Sequence, residues 1–109
     1  MVEIRYYVAP DGKSPFAEWL ADLNDFAAAK VSLAVERIAM DNFSNVKSVG
    51  AGVMEYRIHS GPGYRIYFGR DGDAIVMLLT GGTKQRQQRD ILAARAFWQD
   101  YKRRGRERR

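Results

Sequence analysis

Two short segments that alternate apolar with charged residues carry the side chains best suited to chemistry. Residues 53–59 and 64–68 flank the glycine- and proline-containing segment 60–63, and this pattern predicts a β-hairpin. Successive side chains of a strand point to opposite faces, so one face of the hairpin collects apolar residues and the other collects polar ones. The apolar face, which we predict to be part of the core, comprises Met54, Tyr56, Ile58, Tyr64, Ile66 and Phe68. The opposite face comprises Glu55, Arg57, His59, Arg65 and Tyr67.

The crowded cations on this second face predict an anion-binding site. The length of the connecting loop decides whether Arg57 lies opposite Arg65 or opposite Tyr67. In either register like charges lie close together, and like charges side by side destabilise a sheet. A bound anion would offset that repulsion, so the hairpin is predicted to hold one.

These positive side chains are suited to metal-independent cleavage of RNA. RNA supplies its own nucleophile, the 2′-OH, so an enzyme needs to position it, neutralise the phosphorane oxygens and protonate the leaving 5′-oxygen. The planar guanidinium groups of Arg57 and Arg65 suit the second task. For proton transfer the alternatives are Glu55, His59 and Lys84, and the surrounding cations lower the pKa of a carboxylate and make Glu55 the weaker base. For His59 there is an equal alternative, that it is an exposed histidine in a turn and has no catalytic role.

Further candidate contacts to RNA lie outside the two arginines. Tyr67 is a candidate for stacking on a base, although an aromatic residue on a sheet face more often packs in a core. Lys84 follows the glycine pair 81–82, which is either part of a phosphate-binding loop without full Walker spacing or an ordinary strand-to-helix turn. Near the start of a helix, Lys84 would lie beside free backbone N–H groups, which favours a phosphate. Arg86, Arg89 and Lys47 are peripheral phosphate-contact candidates.

The composition limits the class of protein. A chain of 109 residues with 46% hydrophobic positions fits one domain, predicted over residues 1–101, followed by a flexible basic tail over residues 102–109. With no cysteine, one histidine and no carboxylate cluster, we expect no metal and no cofactor. No apolar run approaches the ~20 residues that span a bilayer, and no signal-peptide core is present, so we expect a cytoplasmic protein without membrane association.

Basic residues are concentrated toward the end of the chain. Residues 84–109 contain ten basic and three acidic residues, a balance of +7, whereas residues 1–83 contain eight and ten, a balance of −2. This asymmetry predicts a polyanionic partner, either a nucleic acid or an acidic protein. A solvated helix with a basic end is the alternative.

The elements that must position these residues begin with a strand and two helices. Residues 2–8 alternate in hydrophobicity and predict a half-buried strand. Ser14 followed by Pro15 predicts the start of a short amphipathic helix. Asn24 or Asp25 is expected to cap a second helix that ends near residue 41. The predicted apolar positions of that helix are Phe26, Val31, Leu33, Val35, Ile38 and Met40.

The second half of the chain contains the remaining strands and a final helix. Residues 42–52 predict a loop, and the uninterrupted apolar run 74–79 predicts a strand inside the sheet. A helix is expected from about Gln85 to about Tyr101, with the residues beyond it frayed. The predicted order is β-α-α-β-β-β-α, an α+β fold.

Three segments in this order resemble the RelE/ParE superfamily of bacterial toxins, and in particular its HigB-like group, the addiction module killer proteins. The segments are Glu-Tyr-Arg-Ile at 55–58, Gly-Pro-Gly-Tyr-Arg-Ile-Tyr-Phe at 61–68, and Leu-Leu-Thr-Gly-Gly-Thr-Lys at 78–84 with Gln-Gln-Arg-Asp-Ile at 87–91. The resemblance extends from the first strand to about Tyr101. It implies a RelE-like fold, a small mostly antiparallel sheet with two helices on one side and a mobile C-terminal helix.

The resemblance also implies an activity. It implies a toxin of a toxin–antitoxin system, an endoribonuclease (mRNA interferase) that cleaves messenger RNA on the ribosome, inhibits translation and is restrained by a helix-turn-helix antitoxin. Arg57 and Arg65 match the residues that bind the scissile phosphate, and Lys84 matches a further catalytic cation. Glu55 stands where relatives can carry a second basic residue, and Asp90 is the candidate where relatives use a tyrosine.

Two alternatives to RNA cleavage remain. A ParE-like protein poisons DNA gyrase by binding it and needs no nuclease site. A nucleic-acid-binding module without catalysis is the other, although no helix-turn-helix or RNA-binding aromatic signature is present. The combination of Arg57, Arg65 and Lys84 favours RNA cleavage.

Overall fold

The computed structural model describes residues 1–107, and it describes side chains as far as Gly105. The elements in chain order are β1 (Glu3–Tyr6), α1 (Pro15–Ala21), α2 (Asp25–Ala39), β2 (Val46–Ser48), β3 (Val53–Ile58), β4 (Tyr64–Asp71), β5 (Ile75–Thr83), a short 3₁₀ turn (Lys84–Arg86) and α3 (Gln87–Glu107). The strands form one sheet in the order β1-β5-β4-β3-β2, in which β1 pairs with β5 in parallel and the other pairs are antiparallel. The predicted α+β class is confirmed.

Both N-terminal helices begin at the residues that their sequences indicate. The Ser14 hydroxyl accepts a hydrogen bond from the backbone N–H of Ala17 at 3.2 Å, and Pro15 occupies the first helical position. Of the two capping candidates for α2, Asn24 is the one used, because its side-chain oxygen accepts from the N–H of Ala27 at 2.8 Å. The helix starts are therefore set by local side-chain chemistry.

The first core lies between these two helices and one face of the sheet. Its buried members are Val2, Phe16, Val31, Ala34, Ile38, Tyr56, Ile66, Phe68, Val76 and Leu78. On α2 the buried stripe runs through Ala27, Val31, Ala34 and Ile38, which recur at three- and four-residue spacing. Of the apolar positions named for this helix from the sequence, Phe26, Leu33 and Met40 are exposed. They fall on a different side of the helix, about 100° or more from the alanine-containing stripe.

The second core lies on the opposite face of the sheet, under α3. Its buried members are Tyr7, Val53, Tyr67, Met77, Leu79, Ile91, Ala94 and Trp98. Since β5 lies between β1 and β4 and contributes alternate residues to both cores, the prediction of a strand inside the sheet is confirmed. Tyr7 belongs to this core, whereas Tyr6 and Val8 on either side of it are exposed.

The final helix is longer than expected. It continues through Glu107, so the predicted end near Tyr101 is wrong. Asp100 stabilises the added turns by pairing with Arg103 at 2.9 Å and Arg104 at 2.8 Å, and Arg104 also donates to the Val8 carbonyl. The expected flexible tail over residues 102–109 is thus helical to Glu107, and residues 108–109 lie outside the described part of the chain.

Two further details of the sheet differ from the expected order. The predicted loop 42–52 contains β2, which pairs with β3 and makes the order β-α-α-β-β-β-β-α. Three residues are too few to show a period, which is why the pattern missed it. The glycine pair 81–82 lies inside β5, opposite Ile66 and Arg65, and is neither a turn nor a phosphate-binding loop.

Within residues 1–107, no helix combines the length and the apolar character needed to cross a bilayer.

Candidate anion-binding site

The β3–β4 register decides how the two central arginines face each other. Arg57 lies directly opposite Arg65, and Glu55 lies opposite Tyr67. The last pair before the loop is Ile58 with Tyr64, so residues 59–63 connect the strands. Of the two registers left open by the sequence, the structure adopts the one that places guanidinium beside guanidinium. The prediction of a shared sheet face is confirmed for Glu55, Arg57, Arg65 and Tyr67, whereas His59 lies in the connecting segment.

The buried carboxylate of Glu55 holds the side chain of Arg57 in place. The Glu55 side chain is fully buried; Oε1 accepts from Nε of Arg57 at 2.7 Å and Oε2 accepts from Nε2 of Gln87 at 2.9 Å. Burial raises the pKa of Glu55, but the hydrogen bonds from Arg57 and Gln87 outweigh burial and bring the pKa below its usual value. Glu55 is therefore an anion at neutral pH, and it offsets part of the repulsion between the two arginines.

Arg65 is held by a backbone oxygen instead. Its side chain is 7% exposed, and Nη1 donates to the carbonyl of Gly63 at 2.8 Å. The same carbonyl accepts from the backbone N–H of Lys84 at 2.9 Å, so one atom ties the hairpin loop to the end of β5. Gly63 has φ 74°, and a Cβ there would lie 2.6 Å from Nη1 of Arg65. The positive φ favours glycine at this position, and a Cβ there would displace the Arg65 guanidinium.

Arg57, Arg65 and Lys84 line one open cleft of about 500 Å³ at this end of the sheet. The hairpin loop forms its rim, and the other lining residues are His59, Ser60, Gly61, Pro62, Gly63 and Gln87. Arg57 is one-third exposed, and Lys84 and His59 are exposed. No acidic residue is among the described residues that line the cleft. The cleft is therefore positively charged, and it has the character of an anion site.

Two candidate site residues, Tyr67 and Glu55, do not line this cleft because they are buried on the side of the sheet that α3 covers. Tyr67 is fully buried in the second core, so the predicted stacking on a base is wrong. Burial and the neighbouring Glu55 carboxylate raise the pKa of Tyr67. Glu55 lies behind Arg57 rather than in the lining.

Asp90 lies on the first turn of α3 and packs on the sheet. Its carboxylate sits directly over Gly82 of β5, where an added Cβ would collide with Oδ2. Burial raises the pKa of Asp90, although Arg86 and Arg89 act in the opposite direction. Oδ2 is buried and has no hydrogen-bond partner among the described residues. Asp90 is not among the residues that line the cleft. Its environment disfavours the ionised form of its carboxylate.

The three peripheral basic candidates are also outside the lining. Arg86 and Arg89 are exposed near the start of α3, where their charges act on Asp90. Lys47 is exposed on the edge strand β2, at the position opposite Glu55. None of the three forms part of the cleft wall.

Gln87 is a site residue that chemical reasoning from the sequence missed. Its amide bridges the first turn of α3 to Glu55 and lines the cleft beside Arg57. The only available signal was its place in the segment 87–91 that carries the family resemblance. Among the described residues, no group of histidine, aspartate and glutamate side chains is arranged to hold a metal ion.

The chain has a relative among known proteins. It is 38% identical over 86 residues to an uncharacterized protein of Haemophilus influenzae, an alignment that covers 78% of this chain and 87% of that protein. The chain belongs to the same family as that protein. No protein-family model matches it. Because the relative is itself uncharacterized, membership of this family assigns no chemistry to the chain.

Proposed function

We propose that the protein is the toxin of a toxin–antitoxin system, with a RelE-like fold, that cleaves messenger RNA on the ribosome in the cytoplasm. The observation that carries the proposal is the cleft shared by Arg57, Arg65 and Lys84, free of acidic lining among the described residues. These are the three residues that the resemblance matches to phosphate-binding and catalytic cations. Their convergence supports binding of one phosphate by three positive groups.

The proposed chemistry is an internal attack by the 2′-oxygen of RNA. The 2′-oxygen forms a bond to the adjacent phosphorus, the bond from phosphorus to the 5′-oxygen breaks, and the products are a 2′,3′-cyclic phosphate and a 5′-hydroxyl. Arg57 and Arg65 stabilise the charge that develops on the two non-bridging oxygens. The preorganisation of both guanidinium groups by Glu55 and Gly63 supports this assignment, because the donors need no rearrangement as the charge develops.

Proton transfer is assigned to residues of the cleft wall. One group accepts the 2′-hydroxyl proton and another donates a proton to the leaving 5′-oxygen. Among the sequence candidates, His59 and Lys84 line the cleft, whereas Glu55 and Asp90 do not. We assign the transfer to His59 and Lys84, and we assign Glu55 the positioning of Arg57.

The test is primer extension on messenger RNA incubated with translating ribosomes and the purified protein. Discrete cuts in translated regions that disappear in Lys84→Ala, but persist in the matched control Lys47→Ala, support the proposal. DNA gyrase supercoiling is assayed with the same preparations. Loss of supercoiling without RNA cuts would identify the ParE-like alternative, a gyrase-binding protein, and would overturn the nuclease.

A co-expressed antitoxin, expected to be a helix-turn-helix protein, completes the proposal. Expression of the protein alone should arrest growth, and co-expression of a neighbouring gene of that class should restore it. Growth that is unaffected by the isolated protein would contradict a toxin.

A further inference from the structure

A second cleft adjoins the first across the edge of the hairpin. It measures about 290 Å³ and lies between α2 and the end of β3. Arg57, His59 and Ser60 line both clefts, so the two clefts meet at the rim of the hairpin. The far wall of the second cleft carries Lys30 and Arg37 of α2. The positive surface thus extends well beyond the space for one phosphate.

The two cations that α2 contributes to the second cleft, Lys30 and Arg37, are not held in ion pairs by the described residues. No acidic residue is among the described residues that line this cleft. The ammonium of Lys30 lies 5.1 Å from the ring centroid of Phe26. This contact positions the ammonium group but does not neutralise its charge. These two cations are available to an external anion.

The spacing of these cations favours a strand over a small anion. Lys30 and Arg37 are separated by two helical turns, ~10.5 Å along the axis. Between them, Leu33 and Ile58 present apolar surface, and Asn45 supplies an amide at the edge. Spaced cations with apolar surface between them match a single-stranded nucleic acid, whose phosphates repeat along the chain and whose unpaired bases offer flat apolar faces.

We propose that this second cleft is a subsite for the nucleotides that flank the scissile phosphate of a single-stranded RNA. Lys30 and Arg37 bind the backbone phosphates of that segment, and the strand passes over the rim at His59. This inference rests on the proposed function, since it takes the first cleft as the place of the reacting phosphate. It gives the protein a substrate longer than a dinucleotide.

The test measures binding of 2′-O-methyl RNA, which cannot be cleaved by 2′-oxygen attack. Fluorescence anisotropy at several salt concentrations compares a dinucleotide with an octanucleotide on the intact protein and on the double variant Lys30→Ala/Arg37→Ala. The matched control is Lys13→Ala/Arg70→Ala, which removes the same charge from exposed positions outside both clefts. Thermal unfolding of each variant verifies the fold.

The expected result is that the Lys30→Ala/Arg37→Ala variant binds the octanucleotide at least tenfold more weakly and the dinucleotide unchanged. The loss of two phosphate contacts should also make the negative slope of log association constant against log salt concentration shallower by about 1.4. The control should retain both affinity and slope. An octanucleotide affinity that equals the intact protein's would overturn the subsite.

The experiment separates this proposal from the one on which it rests. If Arg65→Lys weakens binding of the dinucleotide and the α2 double variant changes nothing, the subsite is wrong and the first cleft stands. If neither variant affects RNA binding, both proposals fail. A double variant that loses binding to an acidic protein, but not to RNA, would identify the second cleft as a protein-binding surface and overturn the subsite.

Discussion

Arg57 and Arg65 lie directly opposite each other in the β3–β4 ladder, and each is held by a different kind of oxygen. Nε of Arg57 donates to the Glu55 carboxylate at 2.7 Å, whereas Nη1 of Arg65 donates to the Gly63 carbonyl at 2.8 Å. The carboxylate offsets part of the positive charge of Arg57, whereas Arg65 has no ion-pair partner among the described residues. The two arginines therefore differ in the strength with which each attracts a phosphate, and Arg65 is the stronger candidate.

Arg65→Ala is predicted to abolish growth arrest on expression and to reduce RNA cleavage by roughly 100-fold or more, because the developing charge loses a preorganised donor. Reporter growth and primer extension measure the two effects. Arg86→Ala removes an exposed cation outside the cleft and should keep cleavage within about threefold. Since Arg65 is 7% exposed, unfolding curves must verify that the variant folds. A folded and fully toxic Arg65→Ala would eliminate the phosphate site.

Glu55→Gln is predicted to destabilise the protein at pH 7 by about 1–3 kcal/mol, because the buried oxygens lose charge-assisted hydrogen bonds. The folded pKa of Glu55 is lowered, so its contribution is present above the unfolded value and is lost as pH falls through the folded value. The difference in unfolding free energy between the native sequence and Glu55→Gln should therefore shrink below about pH 4.3. Urea unfolding across pH measures it. Glu36→Gln, on an exposed position of α2, should change stability by less than about 0.5 kcal/mol. A pH-independent difference for Glu55→Gln would contradict the assigned ion pair.

Asp90→Asn is predicted to stabilise the protein at pH 7, the opposite of the effect predicted for Glu55→Gln. Burial raises the folded pKa of Asp90, so the ionised carboxylate destabilises the native state at pH 7 and protonation on acidification removes that cost. The amide variant should be more stable than the native sequence at pH 7 by about 1 kcal/mol. That gain should disappear as pH falls through the raised pKa. Thermal unfolding at neutral and acidic pH tests the prediction, and a loss of stability at pH 7 would show that the carboxylate has a partner.

Gly82→Ala is predicted to cost about 1–3 kcal/mol, because the new methyl group occupies the place of the Asp90 carboxylate. Asp90→Ala in the same background should recover most of the loss, and a double-mutant cycle on unfolding free energies measures the coupling. Gly105→Ala is the control, since a Cβ there meets no atom within 4 Å and improves helix propensity. Additive effects of the two substitutions would contradict the close packing of α3 on β5.

Much of the fold could be predicted because it depends on local rules. The caps at Ser14 and Asn24 follow from which side chains can accept the first free N–H groups of a helix. The inner position of β5 follows from its uninterrupted apolar run. Two departures from the expected pattern were nonlocal: β2 exists because β3 offers it a partner, and the exposed side of α2 depends on how closely alanines allow the helix to approach the sheet.

For the candidate site, the sequence by itself determined that Arg57 and Arg65 share a face of the hairpin, because alternation along a strand is a property of the backbone. Only the tertiary structure decided which of the two possible registers is used, the one in which the two arginines lie opposite each other. It likewise decided that the Gly63 carbonyl, which holds Arg65, also accepts from the backbone N–H of Lys84. It also decided that Tyr67 and Glu55 are covered and that Arg57, His59 and Lys84 remain accessible. The physical reason is that strand alternation sorts side chains between two faces, whereas the packing of α3 determines which part of a face is removed from solvent.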